Sequence, residues 1–113
     1  MASRASKEEI PAFLESSKKL ISSGAYLFIP RRKNLQSLAE HGISLKEAKD
    51  AIIGLISSNY YKGPKQDFSR PGEIWEFKKK IGNVVFYIKL KIDIDGNRKV
   101  FKCLGFHEDE FAV

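Results

Sequence analysis

The hydrophobic pattern of this chain changes period once, near residue 60, and that change limits its fold more than any other feature. Before it, apolar residues recur at helical spacing; after it, they alternate. Residues 84–92 alternate most cleanly, with Phe86, Ile88, Leu90 and Ile92 on one side and Tyr87, Lys89 and Lys91 on the other. Successive strand side chains point to opposite faces, so this segment reads as a half-buried strand. Residues 73–78 follow the same rule, Trp75 and Phe77 against Glu76 and Lys78. Asp95-Gly96 suits a tight hairpin turn into a last strand over 99–107. That strand carries apolar residues on both sides, Phe101 and Cys103 against Leu104 and Phe106, so pattern alone leaves its register open.

In the first half, Ile10, Phe13, Leu14, Ser17, Leu20 and Ile21 form one helical stripe. Pro11, lacking an amide hydrogen, fits only near that helix's start, and Gly24 suits its end. Ala25-Tyr26-Leu27-Phe28-Ile29 reads as an extended segment leading to Pro30. A second helix is expected over 33–41, with Leu35, Leu38 and Ala39 inward and Gly42 ending it. Ser44 and Glu47 have capping-box spacing and open a third helix, with Ala48, Ala51, Ile52, Leu55 and Ile56 on one side. Helices followed by strands predict a single α+β domain over residues 1–113, its N-terminal helices on one face of a small antiparallel sheet. Residues 1–8 are expected to be loose, 9–57 mainly helical, 73–107 antiparallel sheet and 108–113 an acidic tail.

A chain of 113 residues is of single-domain size. It has no apolar run near the roughly 18–20 residues that span a bilayer, and no secretory leader at its N-terminus, so no membrane partner is expected. Cys103 is the only cysteine, which excludes an internal disulfide and a thiolate-rich metal site; it is expected in the core. A cytoplasmic setting follows. The net charge is +6, unevenly spread. Residues 60–102 hold eleven Lys/Arg against five Asp/Glu, whereas residues 103–113 hold none against three. A polyanion is the simplest partner for such a stretch.

If Trp75, Phe77, Phe86, Ile88 and Leu90 face the core, then Glu76, Lys78, Tyr87, Lys89 and Lys91 share the opposite face. A buried Phe106 would bring His107 to them, and Lys62, before Gly63-Pro64, would reach their edge. Cleaving RNA without a metal needs a base for the 2′-hydroxyl, an acid for the departing 5′-oxygen and cations for the phosphorane. Glu76 is the candidate base and His107 the candidate acid, although the sequence does not fix which is which. Lys62 is the candidate phosphate holder, and Tyr87 a stacking or proton-donating group. Lys89, Lys91, Lys78 and Arg70 are candidate RNA-binding cations. Taken singly, Glu76 reads as a surface ion pair, His41 as a helix-end residue and the Lys78-Lys79-Lys80 run as a solvated turn. No cofactor is implied. Asp93, Asp95, Glu108 and Asp109 have no spacing that fixes a cation.

The order Ile52-Ile53-Gly54-Leu55, Tyr60-Tyr61-Lys62, Ile74-Trp75-Glu76, Phe86-Tyr87-Ile88-Lys89 and Gly105-Phe106-His107 resembles the MqsR family of toxins. The likeness runs over roughly residues 12–107, and is strongest between Ile52 and Lys89. It implies a RelE-like fold, cleavage of single-stranded messenger RNA, a cognate antitoxin protein as partner, and the ribosome as a further candidate. It supports Lys62 and Tyr87. Two positions depart from the founding pattern: Glu76 stands for Gln, and His107 for Lys. They substitute a carboxylate and an imidazole, a more conventional acid–base pair. Two other readings remain: a non-catalytic RNA-binding module on the Tyr87, Lys89 and Lys91 face, and a protein–protein adaptor with an exposed patch of Val100, Phe101 and Cys103.

Overall fold

A computed structural model describes residues 4–68 and 70–110. Helices α1 (Glu9–Ser22), α2 (Arg32–Glu40) and α3 (Leu45–Ile53) are joined by strand β1 (Tyr26–Phe28) and short loops. After a 3₁₀ turn at Ser57–Asn59 come β2 (Tyr60–Gln66), β3 (Glu73–Ile81), β4 (Val84–Asp95) and β5 (Arg98–Glu108). Three helices and a five-stranded sheet make this an α+β chain. No helix among the described residues is long and apolar enough to cross a membrane.

The sheet order is β1-β5-β4-β3-β2. It is mixed, not antiparallel as expected, because β1 runs parallel to β5 while the other three pairings are antiparallel. The extended segment before Pro30 therefore belongs to the sheet; the helical connection after it carries the chain back to the far edge. The opposite edge, β2, did not announce itself. Its pairing to β3 shifts register twice, and Pro64 sits inside it, so no period of two survives. Proline is tolerated there because one side of an edge strand donates no ladder hydrogen bond.

One core joins the elements. Phe13, Leu14 and Ile21 of α1, Leu38 of α2, and Ala48 and Ile52 of α3 cluster with Trp75, Phe77, Phe86, Ile88, Leu90, Phe101, Cys103 and Phe106. Phe13 stacks on Trp75 with ring centroids 4.4 Å apart. Burial pushes the Cys103 thiol up to about 12, as befits a small core side chain. The Ser44–Glu47 capping box forms in both directions, at 3.0 Å each way.

Several expectations need correcting. In α2 the buried face is Asn34, Ser37 and Leu38, while Leu35 and Ala39 are exposed. The polar pair is buried because its hydrogen bonds are made to β5, as described below. Ile56 is exposed because α3 stops at Ile53 and the chain turns. The lysine run is not a turn: Lys78 to Lys80 lie within β3, and the chain reverses at Gly82-Asn83. Lys79 points to the other side and caps α3, its ammonium 3.0 Å from the Ala51 carbonyl. The adaptor patch does not exist as proposed, since Phe101 and Cys103 are fully buried.

Why β5 looks apolar on both sides is now evident. Lys89 pairs with Gly105 but Leu90 pairs with Cys103, so Leu104 is an extra residue, a β-bulge. Phe101 and Cys103 face the core before the bulge, and Phe106 does so after it. The phase flips once, and His107 leaves the core side.

Candidate active site

Register brings the polar face together. Lys78, Tyr87 and His107 form one row across β3, β4 and β5. Lys62, Glu76, Lys89 and Gly105 form the adjacent row across β2 to β5. A cavity of about 380 Å³ opens over these rows, and Lys62, Glu76, Tyr87 and His107 all line it. Four side chains separated by up to 45 positions in sequence converge because a bulge and an irregular edge strand correct the phase of two strands.

The rings make a wall. Tyr87 and His107 stack with centroids 5.4 Å apart, and Tyr61 meets Tyr87 edge-on at 6.4 Å. Ammonium groups collect on the Tyr61 face: Lys78 Nζ lies 4.0 Å and Lys62 Nζ 5.1 Å from its centroid. Lys78 also pairs with Asp109 at 2.8 Å, a contact that raises the lysine's pKa. Lys33 pairs with Glu110 at 2.6 Å, so acidic side chains of the C-terminal segment rim the cavity.

Glu76 departs from expectation in its burial. It was read as a solvent-facing carboxylate, yet it is only 1% exposed. Lys65 of β2 covers it, with Nζ 2.8 Å from Oε2. That oxygen is buried, and the Lys65 ammonium is its one ion-pair partner among the described residues, so Lys65 must move aside before a donor in the cavity reaches it. His107 is half-buried, and its Nδ1 lies 3.0 Å from the Glu108 carbonyl oxygen. A carbonyl only accepts, so the hydrogen is assigned to Nδ1 and Nε2 is left as the working nitrogen.

The candidate RNA-binding cations divide. Lys89 is half-buried, and its pKa is lowered by burial and next by the Lys65 charge. The nearby carboxylates are already taken, Glu76 by Lys65, Asp67 by Lys91 and Asp93 by Lys102; among the described residues none pairs with Lys89. Arg70 is exposed in the loop after β2 and lines a second cavity. Lys91 must be withdrawn from the contact surface. It is 1% exposed and held by Asp67 at 2.8 Å, with Asp93 at 3.9 Å. A buried ammonium needs such partners, and they consume it.

Other residues escaped the sequence reading. Tyr61 and Lys65 were hidden with β2 itself. Asn34 and Ser37 sit where a helical wheel expects apolar residues. Asn34 is 1% exposed and donates from Nδ2 to the carbonyls of Ile29 and Leu104, while its Oδ1 accepts from the Phe106 amide at 3.0 Å. Ser37 Oγ accepts from the Glu108 amide at 2.9 Å. These contacts pin the bulge on both sides of His107. The buried face of α2 is two-thirds polar, so a hydrophobic pattern points to Leu35 and Ala39 instead and gives no signal for Asn34 or Ser37. Among the described residues no group of three or more His, Cys, Asp or Glu side chains converges.

No protein-family model matches this sequence, and no curated protein matches it at a significant level.

Proposed function

We propose that the cavity over β2 to β5 is the active site of a metal-independent endoribonuclease, acting on single-stranded messenger RNA. The observation that carries the reading is the convergence of Glu76, Tyr87, His107 and Lys62 on one cavity. In this reading the Glu76 carboxylate takes the proton of a 2′-hydroxyl. The 2′-oxygen attacks the adjacent phosphorus, and the bond to the 5′-oxygen breaks. His107 Nε2, protonated, gives its proton to that leaving oxygen. The products are a 2′,3′-cyclic phosphate and a free 5′-hydroxyl. Lys62, over the ring of Tyr61, stabilises charge on the phosphorane, and Lys78 on the same ring is already paired with Asp109. Tyr87 presents a ring for the neighbouring base.

The resemblance to MqsR-family toxins agrees with this chemistry, and from it come a RelE-like arrangement of the helices and sheet, a toxin role in the cytoplasm, and an inhibitory antitoxin partner. The ribosome belongs to the same set of candidate partners. A second reading, an RNA-binding module that does not cut, is favoured by one contact: Lys65 at 2.8 Å neutralises the proposed base. Purified protein incubated with a long single-stranded RNA and a chelator separates the two. The nuclease reading expects fragments with cyclic phosphate ends; RNA left whole, with and without ribosomes, contradicts it.

A further inference from the structure

Beside this site, on the same side of the sheet, lies a second cavity of about 470 Å³. It spans the row of Lys89 and the next row, where Lys91 pairs with Ile74 and Lys102. Its lining holds five cations, Arg31, Arg70, Lys89, Lys91 and Lys102, against two carboxylates, Asp67 and Asp93. Ion pairing sorts them. Lys91 holds Asp67 at 2.8 Å and Lys102 holds Asp93 at 2.9 Å, which builds a neutral floor. Arg31, Arg70 and Lys89 are left over.

Lys89 is the informative member. A half-buried ammonium without a carboxylate partner has lost hydration and gained little in return. An anion arriving beside it offsets that cost. The start of α2 adds to the field: Arg31 is its N-cap, no side chain closes the first-turn amides, and the first turn holds no acid.

We propose that this cavity binds the phosphodiester of the nucleotide next to the scissile bond, held by Arg31, Arg70 and Lys89. The inference rests on reading the neighbouring cavity as the cleavage site. A two-residue step along β4, from Tyr87 to Lys89 or from Lys89 to Lys91, covers about 6.6 Å, comparable to the spacing of successive phosphates in an extended strand. RNA laid along β4 therefore presents one phosphate to each cavity. The paired floor neither repels nor competes.

The test uses a 2′-O-methyl hexanucleotide, which lacks the attacking hydroxyl and is bound without being cut. For single strands the slope of log K against log salt changes by about 0.7 for each phosphate contact. The double variant Arg31→Ala/Arg70→Ala, both exposed positions, is expected to reduce the slope by about that amount and weaken binding about tenfold at low salt. A charge-matched control, Lys18→Ala/Lys46→Ala on α1 and α3, is expected to keep the wild-type slope. A double variant indistinguishable from that control overturns the proposal. Parallel assays use the same hexanucleotide with its 2′-hydroxyls. Cutting by wild-type protein together with an unchanged slope removes the second site alone. The expected loss of slope without any cutting removes the nuclease reading and leaves the phosphate site standing.

Discussion

The imidazole of His107 is held by two contacts, the Tyr87 ring and the Glu108 carbonyl, and Gly105 leaves space beside it. Gly105 is needed for space rather than for backbone freedom. A Cβ built there would lie 3.3 Å from the Cβ of Lys89 and 3.9 Å from His107 Cδ2. Gly105→Ala is expected to push β4 and β5 apart by a few tenths of an ångström, without unfolding the chain. Because proton transfer depends on placement, kcat should fall about tenfold with KM nearly unchanged, in steady-state cleavage assays. Tyr87 separates stacking from proton donation. Tyr87→Phe keeps the ring and is expected to retain RNA affinity, whereas Tyr87→Ala should lose roughly 1–3 kcal/mol of binding, measured by fluorescence anisotropy. At this scale the sequence was most informative. Alternation put Tyr87, Lys89 and Glu76 on one face, where the strand register also brings them. It gave no account of depth, and so Lys91 and Glu76 were read as exposed when neighbours from β2 and its loop cover them.

Among the elements, α2 controls the site from a distance. Its Asn34 makes three hydrogen bonds to the backbone at Ile29, Leu104 and Phe106, and thereby holds the bulge that turns His107 outward. Asn34→Ala removes the side-chain partner of the Leu104 carbonyl and of the Phe106 amide in the core, while the Ile29 carbonyl keeps the Arg31 amide, at a cost of about 3 kcal/mol. Chemical denaturation should show that loss; cleavage by the remaining folded protein should show a lower kcat, because the bulge is no longer pinned. The β4–β5 hairpin carries a pH-dependent contact as well. Asp93 accepts from Lys102 at 2.9 Å, and that hydrogen bond, chiefly, lowers its pKa. A carboxyl depressed in the folded state stabilises above its unfolded value near 3.9 and loses that contribution as pH falls through the folded value. Acid unfolding followed by circular dichroism should therefore be shallower in Asp93→Asn. Element type was legible wherever periodicity was long, as in α1, α3 and β4. β2 was illegible because two register shifts and Pro64 erase its period, and the bulge at Leu104 because two phases of one strand look like a strand apolar on both sides.

On the scale of the whole molecule, the +6 charge includes a group of cations gathered over the polar side of the sheet. Glu76, Asp109, Asp67 and Asp93 are each paired with a lysine, and Lys62, Lys89, Arg31 and Arg70 stand outside those pairs along the cavities. Because burial lowers the Lys89 pKa, that charge is lost at a lower pH than those of ordinary lysines. RNA affinity should decline as pH rises through the Lys89 titration, and Lys89→Arg should remove that part of the decline in a binding titration. The charge excess of residues 60–102 was visible in the sequence; its division into paired and unpaired members needed three dimensions. The most direct test of the central claim is a paired measurement on Glu76→Gln and His107→Ala, of single-turnover RNA cleavage and of affinity for an uncleavable RNA. General acid–base catalysis predicts a rate loss of at least about a hundredfold in each, with affinity within about threefold of wild type. Wild-type cleavage rates in both variants would contradict it.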